Sequence, residues 1–383
     1  MSGQDEKNMQ MALRLARRGV GSVEPNPAVG CVITKANQVA GKGWHKEFGR
    51  PHAEINALED CKTLGINPQG GIMYVTLEPC CHKDKTAPCT EAIIAAGLSK
   101  VVVATTDPSE HCGGKGIEQL RNAAIEVQVG ICENEAKLLN APFLKFAKTG
   151  RSWVILKWAQ SIDGKVAWTG QSDGRRWISS EKSRKDAQNL RRRAGAILVG
   201  INTVIADDPL LTIRPSKERK PTRVVLDNDL RMPLDSKLLG TVKKAPVLIF
   251  PRAEAVQANP QAVDAITQKG AQILAYPDMQ GESNLYFLLD ELSKRGVAQL
   301  LVEGGPEVIT SFLRENLVDE VCVYIAPKIL GAQGSIGISR PMAELAQALD
   351  LHHVDIKRFG DDVRLSGLSK KAVDEILICE GRI

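Results

Sequence analysis

Short, continuous apolar runs set between helix-like stretches constrain this chain most. KVVVATTD at 100–107, AGAILVG at 194–200, TRVVLD at 222–227, APVLIF at 245–250 and EVCVYIAP at 320–327 read as buried strands by composition and by their turn-rich bounds. AVGCVI, GGIMYVTLEPC, WVILKWAQSIDG, AQILAYP and AQLLVEGG extend the series. Between them fall helical patterns. Residues 5–18 place Met9, Leu13 and Ala16 at helical spacing before Gly19 and Gly21, and HAEINALEDC, CTEAIIAAG, GIEQLRNAA, KLLNAPFLKFAK, KSRKDAQNLRRR, YFLLDELSKRG and EVITSFLREN follow. Such alternation predicts layered α/β folds. At 383 residues the chain exceeds the ~250–300 at which one core tends to split. TGRSW at 149–153 separates a helical pattern from a new strand, so a boundary within 146–152 is predicted, giving domains 1–148 and 149–383. The connection is short and has no Pro/Ser-rich linker, which predicts packed domains instead of free tethering.

Composition excludes several classes. Hydrophobic residues at 43% and charged residues at 25% match a globular chain, not a disordered or collagen-like one. Lys plus Arg total 50 against 45 Asp plus Glu, and residues 1–148 carry 17 basic and 16 acidic side chains, so neither half is a polybasic nucleic-acid or membrane-surface module. No stretch reaches the ~18 apolar residues of a membrane span. The odd cysteine count of nine and a start, MSGQDEKNMQ, without an apolar signal core predict the reducing cytoplasm. Cys31, Cys61, Cys80, Cys81, Cys89, Cys112 and Cys132 all precede residue 149, leaving only Cys322 and Cys379 later. Any metal therefore belongs to the first domain.

His52-Ala53-Glu54, followed by Pro79-Cys80 and then Cys89, fits the H-x-E…P-C pattern of zinc deaminases. Zn²⁺ accepts one imidazole and two thiolates and keeps a fourth position for water, whose pKa falls toward ~7. Glu54, two residues after His52 at the first turn of a helix, can approach that water without ligating the metal. The common signature is C-x-x-C, whereas eight residues separate Cys80 from Cys89. Cys81 is the other candidate third ligand, but adjacency to Cys80 strains a shared tetrahedral site. Cys89 after Pro88 opens a predicted helix, whose dipole favours a thiolate, and is preferred.

Together PNPAVG at 25–30, GWH at 43–45, PHAE at 51–54 and LEPCCHKDKTAPC at 77–89 resemble the deaminase domain of the bifunctional riboflavin-biosynthesis deaminase/reductase family, which has the wide cysteine spacing. The resemblance covers almost all of residues 1–148. It implies a cytidine-deaminase-like three-layer α/β/α fold with Asn26, His45 and His82 lining the pyrimidine pocket. Asp84-Lys85 stand where Gly-Arg is common, and Ala87 replaces a Pro. Lys85 keeps the charge but not a bidentate fork.

The second half has no G-x-G-x-x-G fingerprint, so a Rossmann dinucleotide site is not supported. KWAQSIDG at 157–164, GINTVIADDPLLTIR at 200–214 and VEGGP at 302–306 are similar in order and form to the reductase domain of the same family, which has a dihydrofolate-reductase-like α/β fold. The likeness extends over most of residues 150–370. Gly304-Gly305 before a helix exposes backbone N–H groups suited to a pyrophosphate. The resemblance implies NADPH contacts at Ala159, Trp177, Thr203, Asp207, Gly305, Pro306, Glu307, Val308, Ile309, Thr310 and Ser311. It implies substrate contacts at Arg175, Arg191, Leu211, Arg214 and Glu303, the arginines suiting a ribose 5-phosphate. Lys157 and Asp207 are the candidate proton donors.

The implied function is zinc-dependent hydrolytic deamination of 2,5-diamino-6-(5-phosphoribosylamino)pyrimidin-4-one to 5-amino-6-(5-phosphoribosylamino)uracil, then NADPH-dependent reduction of the ribosyl group to ribityl. The expected partner is this small molecule, with no nucleic acid or membrane, in a homo-oligomer, dimer or tetramer. A tRNA-adenosine-type deaminase with an appended binding domain shares the zinc chemistry, but the near-neutral first domain disfavours it. A structural zinc domain beside a degenerate reductase is disfavoured by Glu54.

Overall fold

A computed structural model describes residues 3–82, 88–109, 111–168, 177–214, 219–277, 284–334 and 347–378. The chain forms two compact units. Among the described residues, the first comprises those up to Gly150 together with Ile376–Ile378, and the second comprises Arg151–Glu375.

The first unit runs α1 (Gly3–Ala16), β1 (Gly30–Lys35), β2 (Gln38–Trp44), α2 (Ala53–Thr63), β3 (Ile72–Val75), α3 (Cys89–Ala95), β4 (Lys100–Val103), α4 (Lys115–Asn122), β5 (Glu126–Val129), α5 (Glu133–Leu139) and α6 (Ala141–Thr149). Its sheet has the order β2-β1-β3-β4-β5, with β1 antiparallel to β2 and β3 and the rest parallel. Successive strand residues point to opposite faces. Cys31, Ile33, Met73, Val75, Val101 and Val103 pack on Ala53, Ala57, Ile93 and Leu120 of α2, α3 and α4. Val32, Tyr74 and Val102 pack on Met9, Leu13 and Ala136 of α1 and α5. This is a three-layer α/β/α fold.

Glycines on β2 bring α2 against the sheet. A Cβ on Gly43 would lie 2.2 Å from the Ala53 carbonyl oxygen and 2.4 Å from the Ala57 nitrogen, and backbone cannot swing aside as a side-chain tip can. Gly43→Ala is expected to cost roughly 2 kcal/mol or more through overpacking. It also pushes the start of α2, and hence His52 and Glu54, off position; thermal melts and retained zinc check both effects.

The second unit contains β6 (Trp153–Ser161), α7 (Glu181–Arg193), β7 (Ala196–Gly200), α8 (Ile201–Asp207), β8 (Thr222–Leu226), α9 (Lys237–Gly240), β9 (Val247–Phe250), α10 (Ala253–Ala258), α11 (Pro260–Gln268), β10 (Gln272–Ile273), α12 (Asn284–Lys294), β11 (Gln299–Val302), α13 (Pro306–Arg314), β12 (Glu320–Ala326), β13 (Leu351–Phe359), β14 (Asp362–Ser369) and α14 (Lys370–Val373). The sheet order is β10-β9-β8-β7-β11-β6-β12-β14-β13. Its strands are parallel from β10 to β12, and β14 and β13 add an antiparallel edge. Val154, Leu156, Leu198, Val224, Leu248 and Val302 meet Leu288, Leu292, Ile309 and Phe312 of α12 and α13 on one face. Among the described residues no helix is long and apolar enough to cross a membrane.

Candidate functional site

Helix starts position the candidate metal ligands of the first unit. His52 is the N-cap of α2, Glu54 lies in that helix's first turn, and Cys89 opens α3. Cys80 sits in the loop that follows β3. His52 Nδ1 stands 3.6 Å from Cys80 Sγ and 3.4 Å from Cys89 Sγ, and all three donor atoms lie within 4.8 Å of one another. On a tetrahedral zinc with Zn–S of ≈ 2.3 Å and Zn–N of ≈ 2.0 Å, such donors are about 3.5–3.8 Å apart. The cradle fits that ion. Cys81 does not join it: its side chain groups with His82 and Cys112.

The Cys89 side chain hydrogen-bonds Cys80 and pulls its thiol pKa down, while the same bond and burial push Cys89 up. Glu54 is 3% exposed, and burial pushes its carboxyl up to about 7 against the opposing influence of His52. A carboxyl tuned there can both take and return a proton near neutrality.

Asn26 and His45 extend this cluster. The His45 ring meets His52 edge-on at 5.2 Å, its Nδ1 lies 3.2 Å from the Pro51 carbonyl oxygen, and Asn26 Nδ2 lies 3.5 Å from Nε2. Burial lowers the His45 pKa, favouring a neutral ring that donates from Nδ1 and accepts at Nε2. His82 is exposed, 3.7 Å from Cys112 Sγ. Asp84, Lys85, Ala87 and Arg175 lie outside the described residues.

Two buried polar side chains that sequence reasoning left without a role hold these loops. Glu78 accepts N–H bonds from Asp107, Gly114 and Gly116 at 3.1, 3.1 and 2.9 Å, fixing the strand end just before Cys80. Asn140 accepts from the Ala28 N–H at 2.8 Å and donates to the Ala28 carbonyl at 3.0 Å, anchoring the loop that carries Asn26.

In the second unit a cavity of ≈ 520 Å³ opens beyond the carboxyl ends of β7, β8 and β11. Thr203, Gly305, Pro306, Glu307, Val308 and Ser311 line it. Gly305 caps α13, whose first-turn amides have no earlier helical carbonyl to bond. Gly304 is sterically required, because a Cβ there would lie 2.5 Å from Val308 Cβ.

Other expected contacts fall elsewhere. Ile309 is 1% exposed and faces the core, since α13 turns one side to the sheet. Ala159, Asp207 and Thr310 do not line the cavity, and Trp177 is 61% exposed, with the Arg184 guanidinium 5.0 Å over its ring. Leu211 is buried at 3% exposure with φ of +50°, whereas Arg214 is exposed and donates its backbone N–H to Gln188. The cavity also exposes Asn202, Asn228, Arg231 and Arg314, which the sequence reading missed. Asn228 and Arg231 follow β8 directly, and their place past a parallel strand's carboxyl end was the available signal.

Lys157, Arg191 and Glu303 do come together. Arg191 donates from Nε and Nη2 to the two Glu303 oxygens at 2.7 and 2.9 Å and from Nη1 to the Thr212 carbonyl at 3.1 Å. Lys157 Nζ is 3.8 Å from the same carboxylate. The fork expected to meet a phosphate is thus engaged with a carboxylate. Burial opposes Glu303's charge, but Arg191 and Lys157 outweigh it and hold the carboxyl at about 2. A depressed folded pKa stabilises above the unfolded value and is lost as pH falls through the folded one. Unfolding of this unit is therefore expected to become easier between about pH 4.5 and 2, by roughly 3 kcal/mol in all. Denaturant titrations across that range, compared with Glu303→Gln, check it.

A family model described as the cytidine and deoxycytidylate deaminase zinc-binding region matches residues 2–105, and one described as the RibD C-terminal domain matches residues 152–365. The riboflavin biosynthesis protein RibD of Aquifex aeolicus is 43% identical over 361 residues, covering 94% of this chain and 97% of that protein. The chain belongs to the RibD family. The solved structure of Acinetobacter baumannii RibD matches with a TM-score of 0.80 at 37% identity, covering 96% of this chain and 99% of that one. A Thermotoga maritima structure, described as a diaminohydroxyphosphoribosylaminopyrimidine deaminase/5-amino-6-(5-phosphoribosylamino)uracil reductase, matches with a TM-score of 0.78 at 32% identity, covering 96% and 99%. As a RibD, the chain is a bifunctional deaminase and reductase of riboflavin biosynthesis, with a cytidine-deaminase-like first domain and a RibD reductase domain second. Zinc serves the first and NADPH the second.

Proposed function

We propose that His52, Cys80 and Cys89 hold the zinc, that Glu54 carries protons, and that the cavity past β7, β8 and β11 takes NADPH, in a deaminase of residues 1–148 and a reductase of 149–383. The observation that carries the reading is the spacing of three donors at tetrahedral zinc distances beside a buried carboxyl. Zinc there supplies a Lewis acid that lowers the pKa of water toward ~7. Glu54 takes the proton of the attacking water and passes it to the amidine ring nitrogen. Water's oxygen bonds the amidine carbon, the proton of the new hydroxyl is carried by Glu54 to the amino group, and as the carbonyl forms the C–N bond breaks and ammonia leaves. Asn26 and neutral His45 offer a donor and an acceptor set to the pyrimidine, and His82 serves its rim through Nε2, the ring nitrogen that does not face Cys112.

In the second unit the first-turn amides of α13 and the cations Arg231 and Arg314 suit the phosphates of the dinucleotide. NADPH supplies a hydride to C1 of the ring-opened ribosyl unit, and the protein supplies the accompanying proton. Lys157 is preferred as its source over Asp207, because Lys157 belongs to the buried cluster with Arg191 and Glu303 while Asp207 is exposed. Arg191, Arg214 and Glu303, with the backbone at Leu211, form the substrate end. Arg231→Ala is expected to weaken NADPH about tenfold and NADH less, consistent with loss of one charge-assisted phosphate contact. Fluorescence titration of both nucleotides checks it, and equal weakening would point away from a 2′-phosphate partner.

We place the enzyme in the cytoplasm as a homo-oligomer. The reading as a whole is tested by ammonia release and NADPH oxidation measured on one purified chain. Both are expected with the diaminopyrimidine and only the second with the deaminated aminouracil. Sedimentation of the same sample tests assembly.

A further inference from the structure

We propose that Cys81, His82 and Cys112 form a second metal site, distinct in every ligand from the His52–Cys80–Cys89 cradle and selective for zinc and other ions that prefer thiolate and imidazole. The donor atoms of the three side chains lie within 4.8 Å of one another, and Cys112 Sγ is 3.7 Å from His82 Nδ1. That separation matches the ~3.5–3.8 Å between sulfur and nitrogen donors on a tetrahedral zinc. Two thiols and an imidazole form a soft to borderline donor set, unsuited to magnesium or calcium.

The site is held from both sides. Glu78 lies three residues before Cys81, and its carboxylate binds the amides of Asp107, Gly114 and Gly116 on either side of Cys112. The two loops are thereby fixed together before any ion arrives, which lowers the ordering cost of binding. Cys112 is buried, Cys81 is half-buried and His82 is exposed, so the site has a protected floor and an open mouth. The His111 ring centroid lies 5.9 Å from that of His82, and the His111 carbonyl oxygen is 3.7 Å from Cys81 Sγ. His111 can supply the fourth ligand after a side-chain rotation, or water can. Adjacent Cys80 and Cys81 thus serve different ions, and binding a metal at each requires loss of the thiol protons.

The test is metal titration of the reduced full chain with Co²⁺ and with chelator-buffered Zn²⁺. The wild-type protein is expected to bind about two equivalents, and Cys112→Ser and His82→Asn about one each. Thiolate-to-cobalt charge-transfer absorbance at saturation should fall roughly twofold in Cys112→Ser, because two of four sulfur ligands are lost. His82 is exposed, so His82→Asn keeps the test decisive if the buried Cys112→Ser variant unfolds. A single wild-type equivalent that survives both Cys112→Ser and His82→Asn would overturn the proposal, as would two equivalents retained in either folded variant, whereas a single equivalent lost in both variants would place the ion at this site and count against the cradle. These readouts count ions and do not require either enzymatic activity, so they stand apart from the deaminase assignment.

Discussion

Glu54→Gln is expected to reduce ammonia release by about 10²–10⁴-fold, the usual worth of a positioned proton carrier. The amide fills the same space at the start of α2 but cannot accept a proton from water. His52, Cys80 and Cys89 are unchanged, so zinc content should stay at the wild-type value. NADPH oxidation on the deaminated aminouracil should also persist, because the cavity at β7, β8 and β11 belongs wholly to the second unit. A variant with full zinc, full reductase activity and undiminished deamination would remove Glu54 from the chemistry. Equal loss of zinc and activity would instead make it a structural support of the cradle.

The second large effect is on stability. Glu303→Gln removes the carboxylate that faces Arg191 at 2.7 and 2.9 Å and Lys157 at 3.8 Å. Two cations then remain in a poorly solvated place without their partner, a situation that costs about 3–5 kcal/mol. The double variant Arg191→Met/Glu303→Gln should be less destabilised than the sum of the single changes, because it also removes one orphaned charge. Denaturant midpoints of the four proteins give the coupling directly. Simple additivity would mean that the cluster is not a unit.

Much of the fold was legible because buried strands announce themselves. β4, β7, β8, β9 and β11 are almost wholly buried, and their apolar runs are short and continuous. β13 was missed for the opposite reason: LHHVDIKRF is a solvent-facing edge strand with no apolar alternation to see. AQILAYP shrinks to the two-residue β10 at the other edge of that sheet. The expected single helix over KLLNAPFLKFAK breaks into α5 and α6 at Asn140, whose side chain is committed to Ala28 and which is followed by Pro142 in the first turn of α6.

The candidate metal cluster was legible as residue types but not as a geometry. Sequence preferred Cys89 to Cys81 as the third ligand; the helix start at Cys89 places it beside His52, while Cys81 groups with Cys112 from a loop 31 positions away. Arg191 shows the limit of reading charge from sequence. Its guanidinium suits a phosphate equally well on paper, and only the approach of β11 to α7 reveals the carboxylate that occupies it. Glu78 and Asn140 act through backbone groups far along the chain, which no local pattern encodes.

The central claim is that one chain deaminates first and reduces second at separate sites. It is tested most directly by following NADPH absorbance with the diaminopyrimidine as sole substrate, in the wild-type protein and in Glu54→Gln. The account expects steady oxidation matched one-for-one by ammonia in the wild type, none above background in the variant, and full recovery when the variant receives the aminouracil. Oxidation by Glu54→Gln at the wild-type rate on the diaminopyrimidine, without ammonia release, would contradict it.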